Sequence, residues 1–152
     1  ELYQQVARVL HETGLDPAFL ELEVTESAVM DDPEVALEQM HRLRELGVRL
    51  AIDDFGTGYS SLLRLKRLPV QKLKIDQGFV AGLPWDDDDG AIARVIIALA
   101  KSMGMQVHAE GIEQMEQARF LLDQDCDIGQ GYWFGRPVPA EQLDWARAPL
   151  IS

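Results

Sequence analysis

Apolar and polar positions along this chain follow two alternating periods. Short stretches with period two predict five strands, at about 19–25, 48–54, 72–76, 106–110 and 127–132. Stretches with a helical period lie around and between them, at about 1–13, 32–47, 61–68, 91–103, 113–123 and 141–147, with a shorter helical piece at 79–83. Boundary residues support the helices: Gly14 and Gly47 follow helix ends, and Asp32-Pro33 opens a helix. The pattern predicts an α/β protein of about five βα units.

The polar positions within the strands indicate which kind of parallel sheet these units form. A doubly wound sheet buries both faces, so its strands are almost continuously apolar. Here charged residues alternate with apolar ones in three strands, at Glu21 and Glu23, at Lys72, Lys74 and Asp76, and at His108 and Glu110. One charged face suits a barrel interior with a polar mouth. An eight-stranded barrel takes roughly 250 residues, so we expect a partial barrel in one domain.

Composition and charge narrow the class of protein. The 152 residues are 47% hydrophobic and 26% charged, which is typical of a globular protein with one core. The net charge of −12 argues against DNA or an anionic membrane as a partner. Cys126 is the single cysteine, which favours a reducing compartment, and the apolar run at 95–100 is too short to span a bilayer. We therefore expect a cytoplasmic location without membrane insertion in this segment.

The most informative stretch is the strand that delivers Asp53 and Asp54, followed at once by a loop with Gly56 and Gly58. Adjacent strand residues point to opposite faces, so the two carboxylates converge only where the strand ends and the backbone turns. Active sites of parallel β/α proteins are built at that end. Two adjacent carboxylates repel each other unless a cation separates them. Ser60 or Ser61 can cap the helix that follows. The alternative to a functional site is an acidic pair that merely caps this next helix.

The ends of the other strands add more ionisable side chains to the same predicted rim: Glu23, Lys74, Asp76, Glu110 and Glu113. Three histidines and one cysteine make a zinc site improbable. A rim of oxygen ligands selects Mg²⁺ or Mn²⁺, and two such ions about 3.5–4 Å apart serve phosphodiester cleavage. Lys74 would orient the attacking water or offset phosphate charge. Its alternative role is a structural ion pair with Asp76 or a neighbouring carboxylate.

Five spaced motifs resemble those of the EAL domain family, bacterial phosphodiesterases that open cyclic di-GMP to linear pGpG. The similarity extends from about Leu2 to Leu143. The motifs are Glu23-Val24-Thr25-Glu26, Asp53-Asp54-Phe55-Gly56-Thr57-Gly58-Tyr59-Ser60-Ser61, Lys74-Ile75-Asp76, Ala109-Glu110-Gly111-Ile112-Glu113 and Gln130-Gly131-Tyr132.

The resemblance implies a modified (β/α)₈ barrel of TIM type that holds two ions, Mg²⁺ or Mn²⁺. Glu23 is similar to the ligand of one metal, Asp53 to the bridging ligand, and Asp54 and Glu110 to ligands of the second metal. The implied catalytic residues are Lys74, which contacts the catalytic water, together with Glu110 and Gln130.

The resemblance also implies supporting and substrate-binding roles. Glu26 resembles the residue that anchors the mobile loop, to which Thr57 and Gly58 belong, and Glu113 resembles one that supports the metal centre. With Asp76 these form a second group around the ligands. The substrate-binding set would be Gln130, Trp133, Phe134 and Pro137, and the alternative for the last three is packing of the closing turn.

This sequence also departs from the family pattern. The signature Glu-Ala-Leu strand and the strand with an Asn ligand are absent, so we expect residues 1–152 to be the C-terminal three-fifths of an EAL domain, inactive alone. Gln71, Gly78 and Gln114 replace the usual residues. The complete parent domain would hydrolyse cyclic di-GMP, would form a homodimer, and would be joined to upstream sensory or cyclase domains. A non-catalytic cyclic di-GMP receptor or protein-interaction module is the alternative.

Two further features have simpler explanations. The acidic run from Asp86 to Asp89 suggests calcium, but a solvated loop that caps the next helix, at Asp89 or Gly90, explains it better. His108 lies two residues before Glu110 and therefore points into the same interior. We expect a hydrogen-bonded core histidine there rather than a metal ligand.

Overall fold

The computed structural model describes residues 2–56 and 62–143. Its strands are β1 (Glu21–Thr25), β2 (Arg49–Phe55), β3 (Lys72–Ile75), β4 (Gln106–Ala109) and β5 (Ile128–Gly129). Its helices are α1 (Leu2–Thr13), α2 (Glu26–Asp31), α3 (Pro33–Glu45), α4 (Leu62–Leu65), α5 (Gln77–Ala81), α6 (Asp87–Ser102) and α7 (Met115–Asp123). Short 3₁₀ turns lie at Pro17–Phe19 and Ala140–Gln142.

The five strands form one parallel sheet, in the order β1-β2-β3-β4-β5. Strand order that follows chain order is the topology of a barrel wall, whereas a doubly wound sheet reverses its order at a switch point. The structure thus confirms an α/β fold with a partial barrel. Because all strands are parallel, their carboxyl ends meet at one rim.

The core lies between the outer face of the sheet and the helices. Leu50, Leu73, Ile75 and Val107 are completely buried, and they alternate along their strands with residues that face the barrel interior. From α6, Ala93, Ile96, Ile97 and Ala100 pack into the same cluster. Burial of these side chains fixes the register of the strands, because a slip of one residue would exchange the two faces.

Several predicted boundaries need correction. Helix α2 was not predicted; Thr25 caps it by accepting a hydrogen bond from the amide of Ala28. Helix α6 begins at Asp87 rather than 91, because Asp86, not Asp89 or Gly90, accepts hydrogen bonds from the first amides. The last strand is only two residues long.

Other expectations hold or lie outside the described residues. Asp32 caps α3 and Pro33 opens it, as the sequence predicts. The predicted cap at Ser60 or Ser61 and most of the predicted helix at 141–147 fall outside the described residues. In the part of the chain that is described, no helix combines the length and apolar character needed to cross a membrane.

Candidate active site at the carboxyl ends of the strands

Lys74 is the centre of the ionic cluster at the rim. Its Nζ lies 2.7 Å from Glu23 Oε2, 3.0 Å from Asp53 Oδ1 and 2.7 Å from Glu110 Oε1. The three carboxylates come from β1, β2 and the residue after β4, and the lysine from β3. Four consecutive strands therefore contribute to one site, as the parallel arrangement requires. Asp76, the partner considered from the sequence, instead caps α5 through a bond from the Gly78 amide.

The lysine is held in its charged form. Its side chain is only 4% exposed, and burial by itself lowers the pKa of Lys74. Hydrogen bonds to Glu110, Glu23 and Asp53 outweigh that effect, so the pKa lies well above the ordinary value of a lysine. A permanently protonated lysine donates hydrogen bonds and offsets negative charge, but it does not act as a general base at neutral pH.

Asp53 and Asp54 converge by a different route from the one expected. Strand β2 does not end at the pair but continues to Phe55, and its pairing with β3 shifts register between Ile52 and Phe55. Asp54 adopts a φ of 53°, a left-handed backbone conformation that residues other than glycine rarely adopt. Its amide donates to Asp53 Oδ1 at 3.1 Å. A local irregularity within the strand, and not the strand end, turns the second carboxylate.

Asp54 lies among other acidic groups. Desolvation, followed by repulsion from Asp53, Asp76 and Glu110, raises the pKa of Asp54, and the attraction of Lys74 only partly opposes this. One cation therefore faces an excess of carboxylates at this rim. Such an excess creates a demand for additional positive charge.

The carboxylates at the rim meet some of the requirements of a divalent metal site. The carboxylate oxygens are hard donors of the kind that Mg²⁺ and Mn²⁺ take, and three of them already surround one cationic atom. Over residues 2–56 and 62–143, no group of three or more His, Cys, Asp or Glu side chains has metal-binding spacing as it stands. The chemistry of the donors fits a metal, while their spacing in this structure fits the ammonium of Lys74.

Glu26 connects the rim to the start of the following loop. It is 3% exposed, and its Oε2 accepts a hydrogen bond from the Gly56 amide at 3.1 Å. Gly56 has a φ of 101°, which favours glycine at this turn. Thr57 and Gly58, the predicted loop residues, lie outside the described residues.

Two adjoining clefts lie near the end of β5, and Glu110 lines the first of them. The first cleft, of about 350 Å³, is lined by Gln77, Glu110, Gly111, Glu113, Gln130, Gly131 and Tyr132. The second cleft, of about 330 Å³, is lined by Gly129, Gln130, Gly131, Tyr132, Phe134, Gly135, Arg136, Pro137 and Leu143. They share Gln130, Gly131 and Tyr132, so together they form a path that leads away from the carboxylates.

Gly131 lies at a close contact between two backbone segments. A Cβ atom at this glycine would lie 2.1 Å from the backbone oxygen of Ile112, so the two backbone segments touch directly. Trp133 donates its amide to the same Ile112 oxygen at 2.9 Å. The segment after β5 is thereby fastened to the segment after β4.

The predicted substrate-binding residues divide between the two clefts. Gln130 lines both, and Phe134 and Pro137 line only the second. Trp133 is 42% exposed and lines neither. Their binding roles, like the ligand and catalytic roles above, stay predictions.

His108 is buried, as expected, but without the expected hydrogen bond. Both ring nitrogens are buried and have no hydrogen-bond partner among the described residues. Its neighbours in register are Lys74 and Ile128, and neither side chain offers an acceptor. Burial, followed by the nearby charge of Lys72, lowers the pKa of His108, which keeps the ring neutral.

Sequence reasoning missed three residues that the clefts contain. Gln77 lies in the first cleft, Arg136 in the second and Tyr132 in both. Tyr132 belonged to a motif, and Arg136 follows the last strand within seven residues of it. The short distance along the sequence between Arg136 and the end of the last strand could have indicated that this residue lies near the rim.

The fold and site define an α/β protein of the TIM-barrel-like class, with acidic side chains gathered at the carboxyl ends of its parallel strands. Comparison with known proteins gives the family. The family model of the EAL domain matches residues 1–137, and the chain belongs to this family.

Individual relatives agree. The chain is 47% identical over 143 residues to the cyclic di-GMP phosphodiesterase NbdA of Pseudomonas aeruginosa, covering 94% of this chain and 18% of NbdA. It superposes on the solved MucR phosphodiesterase in complex with c-di-GMP with a TM-score of 0.90 and 48% identity, covering 93% of this chain and 57% of that one.

A more distant solved relative, the BlrP1 protein of Klebsiella pneumoniae in a manganese and cyclic di-GMP complex, gives a TM-score of 0.81 at 33% identity. That match covers 88% of this chain and 34% of BlrP1. The chain thus spans about a fifth of the length of the first curated relatives and little more than half of the solved MucR chain.

Proposed function

We propose that the parent EAL domain of this chain hydrolyses cyclic di-GMP to linear pGpG in bacterial second-messenger signalling. The observation that carries the proposal is the convergence of carboxylates from separate strands on one point, at Lys74 Nζ, beside the first of two adjoining clefts. The relatives support the substrate: NbdA is named for this activity, and MucR has been solved with the dinucleotide bound.

Glu23, Asp53, Asp54 and Glu110 would hold two divalent ions, Mg²⁺ or Mn²⁺. BlrP1 has been solved with manganese and with calcium, which supports a divalent site of oxygen ligands in this family. Bound ions would supply Lewis-acid stabilisation of the phosphate and a water molecule of lowered pKa.

The remaining residues act on water and substrate through their own chemistry. Lys74 is charged and would offset charge on the phosphate, and its N–H groups would orient the attacking water once its three carboxylate partners hold the ions instead. Gln130, at the junction of the two clefts, contacts the substrate beside that water. Glu113 lines the first cleft and supports the ligand Glu110. Glu26 fixes the start of the loop at Gly56.

Product analysis tests the proposal. The parent domain is incubated with cyclic di-GMP and Mg²⁺ or Mn²⁺, and the products are separated by chromatography. We expect pGpG, and we expect a chelator to stop its formation. Intact cyclic di-GMP after incubation with either metal would refute hydrolysis.

One observation favours the second candidate, a cyclic di-GMP receptor without activity. Lys74 occupies the point between three carboxylates. Among the described residues, no three His, Cys, Asp or Glu side chains have the spacing needed to bind a metal ion. A receptor would bind cyclic di-GMP with equal affinity in the presence of a chelator and would release no pGpG. Calorimetric titration with and without EDTA separates the two functions.

An apolar groove supports a homodimer of the parent domain. It is lined by Glu26, Phe55, Gly56, Leu62 and the α6 residues Ala91, Ile92, Val95, Ile96 and Leu99. Val95 is 66% exposed and Leu62 is 60% exposed. The groove adjoins the turn at Gly56, so a partner seated there would influence the loop. We expect Val95→Glu to yield monomers in analytical ultracentrifugation, and an unchanged dimer would exclude this surface.

The isolated chain of 152 residues should be inactive, because the family's Glu-Ala-Leu strand and Asn ligand are absent from it. It would also present the edges of β1 and β5. We place the domain in the cytoplasm, joined to sensory or cyclase domains. The relative MucR, named a bifunctional diguanylate cyclase and cyclic di-GMP phosphodiesterase, supports a cyclase neighbour. Measurable hydrolysis by the 152 residues alone would contradict the first statement.

A further inference from the structure

Arg136 is the cationic side chain of the second cleft and is held there by an aromatic ring. Its guanidinium carbon lies 4.3 Å from the centroid of the Tyr132 ring. Tyr132 lines both clefts, so the arginine stacks on a residue that the two clefts share. Stacking over a ring fixes the position of a long, mobile side chain and is itself favourable by about 1 kcal/mol.

Among the described residues, no carboxylate neutralises the charge of Arg136, in contrast to the two lysines of β3. Lys72 and Lys74 are both engaged in short ion pairs. Arg136 forms no ion pair with any residue in 2–56 or 62–143. In a protein with a net charge of −12, a cation in a cleft that has no ion-pair partner among the described residues is available to a ligand.

The contact with Tyr132 engages one side of the guanidinium, whose carbon lies over the ring. In a parallel stack the N–H groups of an arginine lie in the plane of the guanidinium and would remain available to a ligand. Two parallel donors at the edge match two adjacent acceptors of a ligand. The cleft around them has flat or apolar walls, from Tyr132, Phe134, Pro137 and Leu143. A planar heterocycle with two acceptors on one edge fits these walls and donors better than a phosphate does.

We infer that Arg136, positioned by Tyr132, binds the O6 and N7 edge of one guanine of a cyclic dinucleotide and sets the preference for guanine over adenine. This rests on the proposed function for the identity of the substrate. Guanine presents two acceptors, O6 and N7, to an arginine fork. Adenine replaces O6 with an N6 amino donor, which faces an arginine donor and leaves both groups unpaired.

The test compares Arg136→Lys and Arg136→Ala with the wild-type parent domain. The measured quantities are KM and kcat for cyclic di-GMP and the inhibition constant of cyclic di-AMP, which has the same phosphates and different bases. We expect KM for cyclic di-GMP to rise about tenfold to hundredfold in both variants, the range of one bidentate base contact, with a smaller change in kcat. The inhibition constant of cyclic di-AMP should change far less.

Two variants of Tyr132 test its positioning role. Tyr132→Phe keeps the ring and should keep the preference for guanine, whereas Tyr132→Leu should lose part of it. Arg94→Ala is the matched control, because Arg94 also stacks on a ring, that of Phe120, but lines neither cleft. It should leave KM unchanged.

Two outcomes overturn the inference. Full restoration by Arg136→Lys would show that a point charge suffices, which indicates a phosphate contact. Equal losses for the two dinucleotides would show that the base is not read. If the wild type binds cyclic di-GMP without cleaving it, the proposed hydrolysis fails, and calorimetric affinities of the same variants for both dinucleotides still decide the role of Arg136.

Discussion

Two lysines on one strand, two residues apart and facing the same interior, have very different surroundings. Lys72 Nζ lies 2.6 Å from a single carboxylate, Glu21 Oε1. Lys74 has three carboxylates within 3.0 Å, and Asp54 lies among the same acidic groups. Both lysines are largely buried, at 12% and 4% side-chain exposure. Burial and residue type do not distinguish them.

The difference is one of charge balance. One lysine with one carboxylate is neutral, as expected for a pair that stabilises the barrel interior. One lysine with an excess of carboxylates is not neutral, and repulsion among the excess negative charges opposes folding unless a further cation joins them. The excess of carboxylates lies at the rim, around Lys74, whereas the deeper position on the same strand, Lys72, has a balanced pair. This difference indicates that the rim is the functional site.

The largest effect is expected from Glu110→Gln, which removes one of the surplus carboxylates. In the parent domain we expect the rate of cyclic di-GMP hydrolysis to fall by more than about hundredfold. Mutation of a residue that only hydrogen-bonds to a metal ligand already lowers metal affinity or activity by about ten- to hundredfold, and Glu110 is itself a proposed ligand. The fold should change little, as measured by circular dichroism. Glu21→Gln, at the balanced pair, is the control and should keep turnover within a few-fold. Near-normal turnover of Glu110→Gln would defeat the assignment.

Replacing each lysine by methionine tests the comparison directly. Lys74→Met leaves three carboxylates without their shared cation and should lower the free energy of unfolding by about 3 kcal/mol. Lys72→Met leaves one partly exposed carboxylate and should cost about 1.5 kcal/mol. Urea unfolding of each variant and of the wild type in EDTA measures both differences in the free energy of unfolding.

Divalent ions sharpen the same experiment. Millimolar Mn²⁺ should recover much of the stability of Lys74→Met, because the vacated point is surrounded by oxygen donors, and should do little for Lys72→Met. Equal responses of the two variants to Mn²⁺ would remove the distinction between a metal site and an ordinary ion pair.

A surface pair near the opposite end of the strands provides a reference of ordinary strength. Lys101 Nζ lies 2.5 Å from Asp127 Oδ1, and both side chains are about a third exposed. Burial raises the pKa of Asp127, but hydrogen bonds from Lys101 and the Val107 amide outweigh it and lower that pKa. We expect Asp127→Asn to cost about 1 kcal/mol at neutral pH.

The pH dependence of this reference pair has a definite sign. Because the folded pKa is below the unfolded one, the stabilisation is complete above about pH 4 and is lost as the pH falls through the folded pKa. The stability curves of wild type and Asp127→Asn should run parallel from pH 7 to about 4 and approach each other below it. Curves that converge above pH 5 would contradict the assignment.

The smallest effect is expected from Asp54→Asn in the absence of metal. It removes one negative charge from the group formed with Asp53, Asp76 and Glu110, and asparagine tolerates the left-handed backbone at this position. The free energy of unfolding should rise by a few tenths of a kcal/mol, since the group is partly solvated. With Mn²⁺ present the sign should reverse, because the wild type gains a ligand that the variant lacks.

The sequence by itself determined the α/β class, the strands carrying Glu23, Lys74 and Glu110, and their meeting at one rim. These follow from local rules: alternation places side chains on one face, and parallel strands bring their carboxyl ends together. The convergence of Asp53 and Asp54 was also expected, but at the end of the strand and not at an irregularity within it. No local rule predicts a register shift at Ile52, because it depends on how β2 pairs with a strand twenty residues away.

Tertiary structure alone decided which carboxylates Lys74 contacts, that Asp76 caps α5 instead, and that Arg136 stands over Tyr132 in a cleft. These contacts join residues far apart in the chain or fix one orientation of a flexible side chain among several. Periodicity records which face a residue occupies but not the distance to a partner on another strand. Charge balance is a property of such distances, and it appears only once the strands are assembled.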